Sequence, residues 1–274
     1  MRLSFGEKTL IMGILNVTPD SFYDGGRYYS REDAVKRALK LRDEGADIID
    51  IGGESTRPGS QRVSAPEEID RICPVIEAVI KEMDIPVSVD TSKADVAEEA
   101  LKLGAVIVND ISALTFDEKM AEVAAKYSAC VVLMHIKGTP ENMQINPEYE
   151  NLLEDIYLFL ENAKQRALKS GIKKENIIID PGIGFGKSIE DNYRILRNLE
   201  YFKRIECPVL VGVSRKSLIG RLQSGDHDRL YATIALNAVS AINGADIIRV
   251  HDVLPHRLAM ISVDALKKER VVYS

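Results

Sequence analysis

The segment Ile178-Ile179-Asp180-Pro181-Gly182 ends a run of apolar residues with a carboxylate, and this arrangement recurs along the chain. Seven other apolar runs end in polar residues, and they read NVTPD (Asn16 to Asp20), DIGGESTRP (Asp50 to Pro58), SVDTS (Ser88 to Ser92), VNDIS (Val108 to Ser112), LMHIKG (Leu133 to Gly138), GVSRKS (Gly212 to Ser217) and RVHDV (Arg249 to Val253). A stretch with helical periodicity follows each run, so strand and helix alternate about eight times. This alternation predicts an α/β fold, a single-domain (β/α)8 TIM barrel. Since the carboxyl ends of the strands converge on one mouth, we expect the functional residues there.

The element boundaries follow from this alternation. Strands are predicted at residues 9–17, 46–53, 86–90, 105–109, 130–135, 176–180, 208–214 and 246–251. Helices are predicted from residue 30, from residue 66, and at 93–103, 117–126, 148–170, 189–200, 228–243 and 255–268. The loops at 18–29 and 54–65 follow the first two strands and are long and glycine-bearing. We expect them to be mobile lids over the mouth.

The composition sets limits on the class of protein. The 274 residues are close to the ~250 typical of one such barrel, so residues 1–274 are expected to form one domain. A formal net charge of −6 argues against nucleic acid as a partner, because binding to a phosphate backbone calls for a broad basic face. The 3 cysteines show no metal-ligand spacing, and no apolar run approaches the ~20 residues that cross a bilayer. We therefore expect a cytoplasmic protein with reduced cysteines and no membrane partner.

Polar residues at the ends of four different strands are predicted to meet in the mouth. They are Asp90, Asn109, Asp180 and Lys216. Two carboxylates, an amide and an ammonium can satisfy a flat heterocycle that carries donors and acceptors, and each buried group left unpaired costs ~1–3 kcal/mol. The set therefore predicts a site for a ring with several nitrogen atoms. Asp180 has a structural alternative, because an aspartate before Pro-Gly also forms turns.

Arg249 and His251 alternate across Val250, so both should face the same side of the last strand. The end of the last strand is where barrels of this kind commonly bind phosphate, which predicts an anion site. The structural alternatives are a buried histidine bonded to backbone and an ion pair of Arg249 with Asp246 or Asp252.

Other residues near the strand ends are predicted to be structural. Arg215 lies between two candidate site residues on an extended segment and should point away from them, which favours an ion pair. His135 is expected to be a structural residue at the mouth. The glycines of segment 182–187 have neither the spacing of a Walker loop nor that of a dinucleotide fingerprint.

Taken in order, the motifs resemble those of the dihydropteroate synthase family. They are ILNVTPDSFYDGG, GGESTRPGS, SVDTS, NDIS, MHIKGTPENMQ, DPGIGFGKS, GVSRKS and RVHDV, and they cover almost the whole chain. The order and spacing of the blocks make the resemblance specific. It implies an enzyme of the transferase class that joins 4-aminobenzoate to 6-hydroxymethyl-7,8-dihydropterin diphosphate. The products would be 7,8-dihydropteroate, for folate biosynthesis, and pyrophosphate.

By position, the resemblance implies roles for the motif residues. Asp90, Asn109, Asp180 and Lys216 would bind the pterin ring. Arg249 and His251 would bind the diphosphate, on which Asn16 would help to hold Mg2+. The 4-aminobenzoate subsite would be formed by Phe22, Thr56, Arg57, Pro58, Phe185 and Ser217.

The implied mechanism is dissociative and needs no covalent enzyme intermediate. Mg2+, Asn16, Arg249 and His251 would stabilise the departing pyrophosphate, and the aromatic amine would attack the resulting pterin methylene cation. Asp24 could approach that cation when the first loop closes. The implied catalytic residues are therefore Asp24, Lys216, Arg249 and His251.

Two related functions stay open on the sequence alone. A pterin-binding methyltransferase that presents methyltetrahydrofolate to a corrinoid protein would share the aspartate and asparagine contacts, but it does not call for the segments at 214–216 and 249–251. A non-catalytic pterin-binding protein would show damaged loops, whereas both loop motifs are complete. The resemblance to the dihydropteroate synthase family also implies a homodimer that forms through the last helices. Sulfonamides, which mimic the amine substrate, are the expected inhibitors. Ala232, Ala235 and Ala238 form a small face that could pack against the barrel or against a partner chain, and we expect the barrel.

Overall fold

The computed structural model describes residues 3–18, 23–24, 27–28, 31–55, 60, 62–143, 145, 147–220 and 229–268, with the backbone alone at 23–24 and 27–28. Within these residues the strands are β1 (Leu10–Asn16), β2 (Tyr23–Asp24), β3 (Arg27–Tyr28), β4 (Ile48–Gly52), β5 (Val87–Asp90), β6 (Ile107–Asp110), β7 (Cys130–Met134), β8 (Ile177–Asp180), β9 (Leu210–Val211) and β10 (Ile247–Val250). The helices are α1 (Arg31–Asp43), α2 (Ala65–Glu82), α3 (Ala94–Leu103), α4 (Met120–Lys126), α5 (Leu152–Lys169), α6 (Ile189–Arg197), α7 (Ser217–Gly220), α8 (Leu230–Ile242) and α9 (Val253–Lys267). Two 3-10 helices, Lys174–Asn176 and Leu199–Ile205, precede β8 and β9.

The main sheet is parallel and closes on itself. Its 8 strands are hydrogen-bonded in the order β8-β7-β6-β5-β4-β1-β10-β9. The two edges meet through a bridge between Ile179 and Val209, where the Ile179 amide donates to the Pro208 carbonyl at 2.9 Å. The predicted (β/α)8 barrel is therefore confirmed.

Strand alternation divides the apolar residues into two layers. Along each strand, every second side chain points into the barrel. The buried cluster there consists of Leu10, Met12, Ile48, Ile107, Val132, Ile178, Leu210 and Ile247. The intervening residues, such as Ile11 and Ile49, pack against the surrounding helices. Both faces of each strand are buried, which explains the nearly continuous apolar runs. The same alternation decides which polar residues face the mouth.

Local signals set the helix starts. Ser64 caps α2, where Pro66 occupies the first turn, and Ser188 forms a capping box with Asp191 at the start of α6. The helix predicted from residue 117 begins at Met120, because the Asp117 carboxylate accepts the amides of Ala94 and Lys119. The predicted helix start at residue 117 was therefore about one turn too early.

The strand before the Ser-Arg-Lys segment is shorter than the predicted 208–214. The chain leaves the ladder after β9 and turns at Arg215, whose φ is +56°. The β2–β3 hairpin and the short α7 were not predicted. Ala232 and Ala238 pack partly against the core as expected, whereas Ala235 is exposed.

No helix among the described residues is long and apolar enough to span a membrane. The three cysteines, Cys73, Cys130 and Cys207, are free thiols.

Candidate active site

The strand register brings the predicted polar residues to one end of the barrel interior. Gly52 pairs with both Asn16 and Asp90, and Asp90 pairs in turn with Asn109. On the other side, Met134 pairs with Asp180. These residues continue the interior-facing positions of their strands beyond the apolar cluster, so they form a polar layer above it.

Arg249 lies at the centre of this layer and contacts two carboxylates. Its Nε donates to Asp50 and its Nη2 donates to Asp90, both at 2.6 Å. Asn109 Nδ2 donates to the same Asp50 oxygen at 3.0 Å. The side chain of Asp50 is fully buried, and its Oδ1 has no hydrogen-bond partner among the described residues. Four side chains from four strands thus form one network.

Burial and charge oppose each other within this network. Burial raises the pKa of Asp90, and the Arg249 guanidinium acts against that rise. Burial alone would lower the pKa of Arg249, but the carboxylates of Asp50 and Asp90 outweigh it and raise that pKa. Arg249 is therefore a permanent cation beside two buried or nearly buried carboxylates.

Arg249 is not paired with either of the partners considered from the sequence. Asp246 forms an ion pair with Lys203, and Asp252 forms one with Arg215. Arg215 Nε and Nη2 donate to the two Asp252 oxygens at 2.9 and 2.7 Å, which confirms the structural ion pair predicted for this arginine.

Asp180 and Lys216 lie on the opposite side of the mouth. Asp180 Oδ1 accepts the Gly182 amide at 2.7 Å, so the turn-forming contact considered from the sequence is present as well. Burial raises the pKa of Asp180, and the Lys216 ammonium opposes this. Burial also lowers the pKa of Lys216 to about 8, against the attraction of Asp180. The pair supplies one hydrogen-bond acceptor, Asp180, and one donor, Lys216.

The turn after β8 wraps around the Lys216 side chain. Lys216 Nζ donates to the Ile183 carbonyl and lies 4.6 Å from the centroid of the Phe185 ring. Phe185 belongs to a small apolar cluster with Ile111, Met134, Ile136, Met143 and Phe116. This cluster forms an apolar wall beside the polar layer.

His251 lies just beyond β10 and is held by both its backbone and its ring. Its Nδ1 is 2.9 Å from the Ser214 hydroxyl, its amide donates to that hydroxyl at 3.2 Å, and its carbonyl accepts Arg37 at 2.8 Å. Ser217 is exposed at the first position of α7. Both residues therefore lie at the rim of the mouth.

The last residue of β1, Asn16, is half-buried and is the sequence's candidate metal ligand. Among the described residues no group of three histidine, cysteine or acidic side chains could hold a metal ion. One amide oxygen suits a hard cation that takes its other ligands from a bound diphosphate and water. The donor set thus fits Mg2+ that arrives with an anionic substrate.

Five of the predicted site residues cannot be located fully. Phe22, Thr56, Arg57 and Pro58 lie outside the described residues, and for Asp24 the backbone alone is described. Asp24 pairs with Arg27 in the β2–β3 hairpin.

The base of the second loop is described on both sides. Glu54 Oε2 accepts the Val63 amide at 2.9 Å, and Lys93 Nζ contacts the carboxylates of both Glu54 and Glu68. Glu68 is fully buried, and burial raises its pKa, against the charge and hydrogen bond of Lys93. This Glu54–Lys93–Glu68 cluster fixes where the second loop leaves and rejoins the barrel.

Sequence reasoning missed two residues near the mouth, Asp50 and Lys187, and it missed the pairing of Lys187 with His135. Asp50 lies two residues after the interior Ile48, so strand periodicity could have found it. Lys187 Nζ is buried and lies 2.9 Å from His135 Nδ1, and no local pattern indicated that pairing. His135 was predicted as structural, and burial together with the Lys187 charge lowers its pKa to about 2, so its ring stays neutral.

The arrangement as a whole gathers hydrogen-bond acceptors and donors at one end of the barrel. Asp90, Asp180 and the Asn109 oxygen can accept hydrogen bonds, and Lys216 can donate them. Arg249 and His251 add cationic and ring N–H donors toward the end of β10. The chemistry suited to such a mouth is binding of a polar heterocycle that carries a phosphate-type group.

Comparisons with known proteins agree with this chemistry. A family model described as pterin binding enzyme matches residues 12–251. The dihydropteroate synthase of Clostridium beijerinckii is 48% identical over 265 residues, which are 96% of this chain and 96% of that protein.

Solved structures give the same result. The dihydropteroate synthase of Yersinia pestis, in complex with a sulfonamide drug, superposes with a TM-score of 0.92 at 43% identity over 98% of this chain and 100% of that one. The dihydropteroate synthase of Xanthomonas albilineans with 4-aminobenzoic acid superposes with a TM-score of 0.89 at 39% identity over 95% of this chain and 93% of that one.

Proposed function

The chain belongs to the pterin binding enzymes and, within them, to the dihydropteroate synthase family, and from this we propose that it condenses 6-hydroxymethyl-7,8-dihydropterin diphosphate with 4-aminobenzoate. The products are 7,8-dihydropteroate and pyrophosphate. The single observation that carries the proposal is the polar layer of the mouth. There Arg249 donates to the Asp50 and Asp90 carboxylates, and Asn109 donates to Asp50. The relatives are named as synthases over nearly their whole length, which removes the support for a corrinoid-linked methyltransferase.

The orientation of Asn109 favours a ring with N–H groups. Since Asn109 Nδ2 donates a hydrogen bond to Asp50, the Asn109 amide oxygen points the other way and can accept a hydrogen bond from a ligand. Asp180 would accept the paired N–H groups of the amidine edge, and Lys216 would donate to the ring carbonyl or a ring nitrogen. A ring that lacks these groups would leave buried carboxylates unpaired, at ~1–3 kcal/mol each.

Binding of the pterin requires an exchange of partners at Asp90. This carboxylate is engaged by Arg249, so the ring N–H groups would have to replace one of the guanidinium contacts. Arg249 would keep Asp50, which neutralises part of its charge, and turn its remaining N–H groups toward the diphosphate. Asp90 and Arg249 then serve two different parts of one substrate.

The diphosphate would lie at the rim between β1 and β10. His251 and Arg249 would donate to its oxygens, and Asn16 would be the protein ligand of the bound Mg2+. When bound, Mg2+ supplies positive charge that stabilises the pyrophosphate leaving group.

Bond breaking and bond making then take place at the methylene carbon. The C–O bond breaks, and its electron pair leaves with pyrophosphate, to which Arg249 and His251 donate hydrogen bonds. The amine nitrogen of 4-aminobenzoate forms the new C–N bond and loses a proton to water or to the released pyrophosphate. The wall that contains Phe185 would hold the aromatic ring, with Phe22, Thr56, Arg57, Pro58 and Ser217 completing that subsite. Asp24 would approach the cationic methylene from the first loop.

We infer that the protein forms a homodimer through α8 and α9. Large apolar side chains are exposed along both helices, namely Tyr231, Val239, Ile242, Leu254, Leu258, Ile261 and Leu266. The helices pack side by side, and α8 contains no charged residue between Leu230 and Ile242. A face of this kind fits a second copy of the chain. That residues 1–274 form one domain, and that the protein is cytoplasmic, remain predictions from the sequence.

The test is pyrophosphate release from the pterin diphosphate with Mg2+, with and without 4-aminobenzoate, together with chromatography for dihydropteroate. We expect release that depends on the amine and matches dihydropteroate formation. Lys216→Met should lower kcat/KM by about a hundredfold, whereas the exposed Lys126→Met, which loses an ion pair with Glu98 and a contact with the Tyr127 ring far from the mouth, should leave it unchanged. Tight pterin binding without product would contradict the synthase and favour a binding protein.

A further inference from the structure

One buried lysine close to the mouth has no role in the proposed reaction. The Lys187 ammonium is surrounded by carbonyl oxygens, with Gly182 at 2.8 Å, Phe185 at 2.9 Å and His135 at 3.4 Å, in addition to the His135 ring nitrogen at 2.9 Å. Its side chain is almost completely buried. Burial lowers the pKa of Lys187, and the Asp180 carboxylate opposes this, so the acceptors around Nζ must be well placed for the fold to keep the side chain buried there.

Two of the acceptors, the Gly182 and Phe185 carbonyls, belong to a turn whose backbone conformation favours glycine at three positions. In segment 182–186 the φ angles of Gly182, Gly184 and Gly186 are +72°, +82° and +68°. A Cβ at Gly182 would lie 1.9 Å from the His135 carbonyl oxygen, and a Cβ at Gly186 would lie 2.6 Å from that of Lys137. The turn is therefore folded tightly against the segment after β7, with carbonyl groups directed at the Lys187 ammonium.

The same turn makes the contacts on Lys216. The Ile183 carbonyl accepts from Lys216 Nζ, and the Phe185 ring lies beneath that ammonium at 4.6 Å. The carbonyls of the residues on either side, Gly182 and Phe185, are the ones that Lys187 engages. Fixing Gly182 and Phe185 determines the peptide orientations between them, and hence the Ile183 carbonyl and the Phe185 ring.

The outer side of the turn has its own attachments. Gly184 donates to Asn192 Oδ1 at 2.6 Å, and the Tyr149 hydroxyl donates to the Gly186 carbonyl at 2.7 Å. These contacts hold the turn to α6 and to the loop before α5. Lys187 is thus the inner contact, which sets the direction of the turn's carbonyls toward the mouth.

We propose that Lys187, supported by His135, is a positioning residue that orients the turn at 182–186 and thereby holds Lys216 and the Phe185 wall in place for 4-aminobenzoate. This inference rests on the proposed function for the identity of the amine. It assigns Lys187 no contact with either substrate. The neutral His135 ring accepts from the ammonium and packs edge-on against Phe159 at 4.8 Å, which keeps the pair rigid.

The test compares Lys187→Met with a matched control, Lys164→Met. Lys164 is also buried, donates to the Ile205 carbonyl at 2.9 Å and pairs with Glu161 at 2.8 Å. It lies on α5, and Ile205 lies before β9, at the end of the barrel away from the mouth. Both changes remove one buried ammonium and keep a similar side-chain volume. We expect the KM for 4-aminobenzoate to rise by about tenfold in Lys187→Met. In Lys164→Met, the KM should equal that of the wild type although thermal stability falls.

A second readout does not depend on the reaction. In protein labelled with 13C at the lysine ε-carbon, the Lys216 signal, assigned with Lys216→Arg, should be shifted upfield by the Phe185 ring. That shift should be lost in Lys187→Met and retained in Lys164→Met. Lys187→Gln, which keeps an amide donor and is expected to fold, should show an intermediate shift and an intermediate KM.

The outcomes separate the two proposals. A Lys216 signal that is the same in wild type, Lys187→Met and Lys187→Gln would overturn the positioning role, as would equal KM changes in Lys187→Met and Lys164→Met. If the wild type makes no dihydropteroate, the proposed function fails, and the Lys216 signal still decides whether Lys187 positions it.

Discussion

At the scale of single residues, Asp50 is the buried carboxylate on which the polar layer depends. It accepts from Arg249 and Asn109 through one oxygen, so it orients the cation and the amide together. Its removal should therefore affect the substrate's ring and its diphosphate at once.

We predict that Asp50→Asn raises the KM for the pterin diphosphate by about ten- to a hundredfold, because Arg249 loses a charged partner and the Asn109 amide loses its fixed orientation. Steady-state kinetics and calorimetric titration of the pterin diphosphate would measure this. Asp47→Asn is the control, since Asp47 pairs with Arg257 and Lys8 at the other end of the barrel. Equal losses in the two variants would show a general effect on folding.

Lys216 gives the site a pH dependence of known sign. Its pKa is lowered to about 8 by burial, so the ammonium is present below that pH and is lost above it. If the protonated form binds the substrate, the KM for the pterin diphosphate should be nearly constant up to about pH 7, roughly double by pH 8 and then approach a tenfold rise per pH unit. Lys216→Arg keeps its charge throughout this range, so its profile should stay flat up to pH 9. A wild-type profile without a rise would contradict a role for the Lys216 charge.

At the scale of elements, the Glu54–Lys93–Glu68 cluster ties the second loop to the start of α3. Lys93 neutralises a glutamate that is fully buried and whose Oε1 has no partner within the described part of the chain. Breaking a buried pair by removing one partner leaves an uncompensated charge.

Lys93→Met should lower the free energy of unfolding at pH 7 by about 3 kcal/mol, measured by urea titration. The pKa of Glu68 is already raised by burial, so the folded state takes up a proton more readily than the unfolded chain as the pH falls. The loss in Lys93→Met should therefore shrink between pH 7 and pH 5. Lys102→Met, which breaks an exposed pair with Glu99, should change the free energy of unfolding far less than Lys93→Met at both pH values. A deficit that grows at lower pH would rule out the buried Glu68 charge as its cause.

At the scale of the whole molecule, the fold could be predicted because period-two and helical patterns alternate without interruption. The register then placed Asp90, Asn109 and Asp180 at the mouth, as their positions at strand ends indicated. Asp50 was within reach of the same argument, two residues beyond Ile48. Lys187 was not, because its pairing with His135 depends on how two turns after neighbouring strands pack. The roles predicted for Phe22, Asp24, Thr56, Arg57 and Pro58 stay predictions, because their side chains lie outside the described part of the chain.

The exposed face of α8 and α9 allows a final prediction about assembly. Leu258 and Ile261 lie near its centre with about three-fifths of their surfaces exposed, at 60% and 59%. A charge placed there would have to be desolvated in a dimer but not in a monomer. Leu258→Glu with Ile261→Glu should therefore convert a wild-type dimer to a monomer in sedimentation velocity. Leu158→Glu on α5, also an exposed leucine, should leave the dimer intact.

The activity of that monomer is a separate test. The network of Asp50, Asp90, Asn109 and Arg249 comes from one chain, so pterin diphosphate binding should persist when the dimer is split. A folded monomer that binds the pterin diphosphate with wild-type affinity would show that the dimer adds stability and not site residues. A wild-type protein that sediments as a monomer would instead require another occupant for the apolar face, because seven large exposed side chains on two adjacent helices exceed the scattered exposure of an ordinary surface.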